Sequence, residues 1–141
     1  MEVLVKNLKG TQKFAKKFAK SLVGGERVLL NGDLGAGKTT FTKYLAKYLG
    51  VKDEVTSPSF TILKQYNGKK FKINHFDLYR IEDISELQEM GFEEYLNTDN
   101  GSILLIEWGE RAGLKNSDFI NITIEKIDEN KRMIKVVRWK F

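Results

Sequence analysis

Gly32-Asp33-Leu34-Gly35-Ala36-Gly37-Lys38-Thr39 reads G-x-x-x-x-G-K-T, and the residues on either side decide whether that pattern carries meaning. Before it, Arg27-Val28-Leu29-Leu30-Asn31 is a short apolar run that reads as a buried strand. After it, the stretch from Thr40 to Leu49 places apolar residues at Phe41, Tyr44, Leu45, Tyr48 and Leu49, one face of a helix that Gly50 closes. Strand, glycine loop and helix are the context in which the pattern acts as a phosphate-binding loop. Its glycines let successive backbone N–H groups converge on phosphate oxygens, and the helix beginning near Lys38 adds the positive end of its dipole. By residue type, Lys38 reaches the β- and γ-phosphates as a point charge and the Thr39 hydroxyl ligates Mg2+. A glycine-rich turn with a solvated lysine is the alternative, and it leaves the flanking strand and helix unexplained.

The 141 residues carry 24 Lys+Arg against 19 Asp+Glu, a net charge of +5, with a single proline, a single histidine and no cysteine. That length suits one domain, residues 1–141, with a substantial core. Without cysteine, disulfides and thiolate metal or redox chemistry are excluded. No apolar run approaches the ~18 residues of a membrane span and no signal-peptide pattern is present, so the expectation is a cytoplasmic protein. The basic balance suits nucleic acid or an acidic protein partner, although a nucleotide site already uses part of it. Lys13, Lys16, Lys17 and Lys20 lie on a predicted helix whose other face is Phe14, Ala15, Phe18, Ala19 and Leu22. A solvated face is favoured there over an RNA patch.

Outward from the loop, Glu2 to Val5 reads as a first strand, and Thr11 is expected to cap the lysine-bearing helix that Gly24 and Gly25 end. Ile62 to Tyr66 and Lys70 to Phe76 flank Asn67-Gly68, a strong hairpin signal. Asp83-Ile84-Ser85-Glu86 has a cap acceptor followed by Glu three residues later, so a helix is expected to start there and end near Gly91, with a short helical turn over Glu93 to Leu96. Ile103-Leu104-Leu105-Ile106 reads as a central strand covered on both faces. Phe119 to Ile127 and Met133 to Trp139 read as an antiparallel hairpin turning at Asp128 to Lys131. The fold class is α/β: a phosphate-loop NTPase-like domain whose mixed sheet has a parallel centre and antiparallel hairpins, with helices on both faces.

Two carboxylates end apolar strands. Glu107 follows Ile103 to Ile106 and is the leading metal-side acid, because a buried parallel strand delivers its last residue to the same sheet edge as the phosphate loop. Asp77 closes Lys72-Ile73-Asn74-His75-Phe76, where turn capping is the competing role. For His75 a packing role and a functional one stand equal. Hydroxyls at Thr56, Ser57, Ser59 and Thr61 can bond water, Mg2+ or γ-phosphate, or simply belong to a rigid proline turn. Trp108 beside Glu107 packs or shapes the site. Arg80 and Arg111 are candidates for charge neutralisation, with surface ion pairing as the default.

Gly-Asp-Leu-Gly-Ala-Gly-Lys-Thr-Thr at 32–40, Thr-Ser-Pro-Ser-Phe-Thr at 56–61, His-Phe-Asp-Leu-Tyr-Arg at 75–80 and Ile-Glu-Trp at 106–108 together resemble the bacterial TsaE (YjeE) family. The likeness runs in order along nearly the whole chain and includes Glu-Leu and Met-Gly at 86–91; Ser59 stands where many members have threonine. The resemblance implies a small ATPase, using ATP/ADP and Mg2+, of tRNA threonylcarbamoyladenosine biosynthesis. It implies two partner proteins, TsaB-like and TsaD-like, with ATP hydrolysis supporting turnover of their complex and tRNA met indirectly or transiently. Carried over by position, the metal ligands are Thr39 and Glu107, and the nucleotide contacts are Asp33, Leu34, Gly35, Ala36, Gly37, Lys38, Thr39 and Thr40. Asp77, Thr61 and Trp108 match positions tied to activity, so the catalytic set is Lys38, Asp77, Glu107 and Thr61; Thr11 and Arg132 fall near the adenine.

Asp77, Glu107 or a hydroxyl of 56–61 is left to orient the attacking water, and no arginine stands out as a finger. A small-molecule kinase is the runner-up, but the chain has little room for an acceptor pocket and a lid. A GTP switch is disfavoured because Asn130-Lys131-Arg132-Met133 lacks the guanine-reading aspartate. A plain RNA-binding module predicts salt-sensitive tRNA binding without nucleotide.

Overall fold

The computed structural model describes residues 1–58 and 60–139. Along the chain come β1 (Glu2–Val5), α1 (Leu8–Ser21), β2 (Arg27–Asn31), α2 (Lys38–Tyr48), β3 (Leu63–Asn67) and β4 (Lys72–Asp77). Then follow α3 (Ile84–Glu89), α4 (Phe92–Leu96), β5 (Ser102–Glu107), β6 (Ile120–Lys126) and β7 (Arg132–Val137). The strands form one seven-stranded sheet in the order β1-β7-β6-β2-β5-β4-β3. β6, β2, β5 and β4 run parallel, while β1–β7, β7–β6 and β3–β4 pair antiparallel. The centre is therefore parallel and both flanks are antiparallel, as expected from an apolar β5 and two hairpin patterns.

Alternation along the strands sends side chains to two cores. Val28, Leu30, Ile103 and Leu105 face α1 and α2, where Phe14, Phe18 and Phe41 gather with ring centroids 5.7 Å (Phe14–Phe41) and 6.1 Å (Phe18–Phe41) apart. Leu29, Leu104, Ile106, Phe76 and Leu78 face α3 and α4, where Phe76 meets Phe92 edge-on at 4.9 Å. Each of these fully buried aromatic rings contributes on the order of 2–3 kcal/mol by burial alone.

Some boundaries differ from the sequence reading. Thr11 does not cap α1; Asn7 does, its side chain accepting from Gly10 N at 3.0 Å. Asn caps as well as Ser or Thr, and starting there adds a turn that buries Thr11 in the helix interior. α1 ends at Ser21, ahead of the glycines, with Leu22 extended. Gly24 (φ 104°) instead makes the turn into β2, where a Cβ would stand 1.9 Å from Asn100 O. β3 starts one residue late because Ile62 takes a left-handed φ of 68°. The Asn67-Gly68 hairpin forms, closed by Gly68 N donating to Phe71 O at 2.9 Å.

Candidate functional site

The loop between β2 and α2 turns on its glycines. Gly32 sits at φ 149° with its α-carbon so close to β6 that a Cβ would lie 2.6 Å from Ile124 O. Gly37, at φ 114°, is the residue before the first turn of α2. The first N–H groups of a helix have no intrahelical partner, so those of Lys38, Thr39 and Thr40 are available to an anion. Asp33, Leu34 and Gly35 form the exposed rim, tightened by Ala36 N donating to Asp33 O at 3.0 Å.

Beneath the loop, register brings the charged groups together. Parallel pairing sets Asp77 of β4 opposite Glu107 of β5, and Glu107 opposite Leu30 of β2. Glu107 is buried; its Oε1 lies 3.7 Å from Lys38 Nζ and its Oε2 2.7 Å from His75 Nε2. Asp77 accepts from the Ser57 hydroxyl at 3.3 Å and from Tyr79 N at 3.1 Å. Lys38 Nζ is enclosed and makes no hydrogen bond among the described residues. It stands 4.5 Å from the centre of the Trp108 ring. Trp108 reaches that position through a left-handed φ of 58°, unusual for a bulky residue and stabilised by Tyr79 packing at 5.0 Å.

A cleft of about 230 Å3 opens over this cluster, lined by Leu34, Gly37, Lys38, Thr39, Thr40, Ser57, Asp77, Glu107 and Trp108. Beyond the loop, a second hollow of about 210 Å3 brings Thr11, Thr40 and Arg132 to one place. Arg132 Nε donates to Ala36 O at 2.8 Å, so the turn of the β6–β7 hairpin grips the phosphate loop.

The chemistry of the donor set fits a triphosphate and magnesium. A buried ammonium with unfilled donors, free helix-start amides, a threonine hydroxyl and two carboxylates surround one cleft. Among the described residues no three His, Cys, Asp or Glu side chains form a metal cluster. Magnesium does not need one, since it takes one or two carboxylates or hydroxyls together with water and phosphate. Thr39 and Glu107, both in the cleft lining, are the residues that could hold it.

Of the predicted site residues, Lys38, Thr39, Thr40, Asp77, Glu107 and the glycine loop converge. Thr61 does not: it is exposed and absent from the cleft lining, whereas the Ser57 hydroxyl of that segment, among the described residues, reaches Asp77. Ser59 lies outside the described residues. Arg80 packs over Phe60 at 4.3 Å and Arg111 near Tyr79 at 5.7 Å, and neither is among the residues that line the cleft. The contact sequence reasoning missed is His75 to Glu107. Its signal was the two-residue alternation of Ile73, His75 and Asp77, which puts the histidine on the same face of β4 as the acid.

No helix among the described residues is long and apolar enough to cross a membrane. The family model described as Threonylcarbamoyl adenosine biosynthesis protein TsaE matches residues 5–134. The chain is 42% identical over 137 residues to the tRNA threonylcarbamoyladenosine biosynthesis protein TsaE of Rickettsia felis, covering 96% of this chain and 78% of that protein. It is 42% identical over 139 residues to the protein of the same name from Aquifex aeolicus, covering 97% and 96%. The crystal structure of YdiB from Bacillus subtilis superposes with a TM-score of 0.75 at 31% identity, covering 96% of this chain and 83% of that one. The loop and both acid-bearing strands thus fall within residues 5–134, and the chain belongs to the TsaE family.

Proposed function

We propose that this chain is a Mg2+-dependent ATPase that serves tRNA threonylcarbamoyladenosine biosynthesis, the process for which its relatives are named. In this reading it works with two partners, TsaB-like and TsaD-like, and its hydrolysis supports turnover of their complex. The observation that carries the ATPase assignment is Lys38: a buried ammonium with no hydrogen-bond acceptor among the described residues, beside the free amides of α2 and facing two strand-end carboxylates.

Each group then has a task. The loop amides and Lys38 bind phosphate oxygens, and Lys38 exchanges its contact with Glu107 for a phosphate. His75 holds the Glu107 carboxylate in one orientation through the 2.7 Å contact. Asp77, fixed by Ser57 and Tyr79 N, orients water. Magnesium, which Thr39 and Glu107 would hold, would supply neutralisation of phosphate charge. Neither Arg80 nor Arg111 lines the cleft, so hydrolysis by the isolated chain is slow, and partner-supplied groups accelerate it.

The test is phosphate release from Mg-ATP with and without the two partners. Lys38→Ala abolishes turnover and weakens ATP binding; Glu107→Ala loses turnover and Mg2+ dependence while retaining more of the affinity. Wild-type turnover in Glu107→Ala, or no heat of ATP association by the folded domain, defeats the assignment.

A further inference from the structure

The two helical layers carry opposite charge. From Glu82 to Asp99, through α3 and α4, the chain has Glu82, Asp83, Glu86, Glu89, Glu93, Glu94 and Asp99 and no lysine or arginine. α1 and α2 on the other side of the sheet have no acid, and α1 alone carries Lys9, Lys13, Lys16, Lys17 and Lys20. At the end of this layer, remote from the phosphate loop, the fold makes a groove of about 380 Å3. Lys16 and Lys20 of α1, Lys47 of α2 and Lys69 and Lys70 of the β3–β4 turn converge on it, with Tyr48 and Phe71 in its lining.

The groove is built rather than incidental. Lys69 N donates to Leu49 O at 2.8 Å. Gly50 and Gly68 lie so close that a Cβ on Gly50 would meet Lys69 Cβ at 2.7 Å, and one on Gly68 would meet Leu49 O at 2.6 Å. The hairpin turn is therefore clamped to the C-terminus of α2, and its lysines are held beside those of the helices. Among the described residues none of the five makes an ion pair.

Two lysines have an ordinary explanation, since Lys20 and Lys47 sit in last turns and complement the helix dipoles. Each helix end supplies roughly half a negative charge, about one in all, against five ammonium groups. Lys16 lies over the Tyr48 ring at 5.8 Å from its centre, which leaves Lys69 and Lys70 unaccounted for and a strongly positive groove whose charges repel one another in the free protein.

We infer that this groove is a docking surface for the phosphate backbone of RNA, with tRNA the species that the proposed function puts within reach; the choice of tRNA rests on that reading. Lysines spaced around a groove track phosphates without reading sequence. The acidic layer on the opposite side of the sheet repels the same polyanion, so the RNA meets the protein from one side.

The test is fluorescence anisotropy of a labelled tRNA transcript with the full chain, without nucleotide, from 50 to 200 mM salt. Binding is expected, weakening steeply with salt. The variant Lys20→Gln/Lys47→Gln/Lys70→Gln, altered only at exposed positions, is expected to bind roughly tenfold or more weakly at ~0.1 M salt, with the slope of log K against log salt reduced by about 2. Lys115→Gln/Lys135→Gln, away from the groove, matches the parent in slope. Circular dichroism checks that each variant is folded. Absence of tRNA binding by the parent at 50 mM salt, or an unchanged slope in the triple variant, overturns the inference. So does polyglutamate competing as well as tRNA, which assigns the surface to an acidic protein. ATP calorimetry on the same triple variant keeps the two readings apart. If ATP binding fails in parent and variant alike while the tRNA difference persists, the ATPase reading falls and the groove stands.

Discussion

Replacing Glu107 by glutamine removes one charge from a buried pair and almost no volume. Lys38 Nζ and Glu107 Oε1 lie 3.7 Å apart, with side chains 6% and 4% exposed. At an effective dielectric of ~20 that separation corresponds to about 4 kcal/mol of attraction. Glutamine retains a polar contact for His75 but leaves Lys38 as an uncompensated buried cation, for which losses of about 3–5 kcal/mol are typical. We expect Glu107→Gln to lower stability by about 3 kcal/mol and, in a domain of this size, to lower Tm by about 10 °C. Urea and thermal unfolding of the nucleotide-free protein measure both. Lys38→Met completes a double-mutant cycle, and the double variant is expected to be more stable than the sum of single losses by about 1.5 kcal/mol or more. Added ATP, which returns negative charge to Lys38, should raise the Tm of Glu107→Gln more than that of Lys38→Met. A loss under about 1 kcal/mol with no coupling means that solvent screens the pair, and the account of Lys38 as a dry, waiting cation is then wrong.

Gly32→Ala puts a Cβ 2.6 Å from Ile124 O at φ 149°; the resulting strain of about 1–3 kcal/mol is expected to displace the loop and weaken ATP binding roughly tenfold, read by calorimetry on folded protein. Arg132→Ala removes the 2.8 Å bond to Ala36 O and should speed hydrogen exchange in the loop, with a stability loss of about 1 kcal/mol; Arg132→Lys should not restore it, because one ammonium cannot also serve Asp128 O and Lys131 O. Asp128 is held below its ordinary value of 3.8 by the N–H of Asn130, then that of Lys131, with smaller help from the Lys131 and Arg132 charges. Because its folded value is the lower one, the contribution is present above the unfolded value and is lost as pH falls through the folded value. Exchange protection at the Asn130 and Lys131 amides should therefore fade on acidification below pH 3.8, and Asp128→Asn should flatten that dependence.

What could be read from the residues was whatever near neighbours in the chain decide. Gly32 to Thr39 announces its loop because its backbone angles and its following helix are local properties. Ile103 to Ile106 declares a strand covered on both faces, and Asn67-Gly68 a hairpin, for the same reason. Glu107 could be placed at the edge of the phosphate loop because parallel strands end together, while its pairing with Asp77 came from the register of β4 on β5. Packing decided the rest. His75 meets Glu107 across 32 residues, and Arg132 reaches Ala36 O across 96, because strand order and register put them side by side. Thr11 lost its capping role to Asn7 and gained a place in a hollow with Thr40 and Arg132. Lys69 and Lys70, the latter read as the start of a strand that begins instead at Lys72, gain a role only when the turn closes on α2 and sets them among lysines of two helices. Periodicity and turn chemistry act over a few residues and are written in the chain. Charge clusters are sums over distant segments, which acquire a distance only when the sheet assembles.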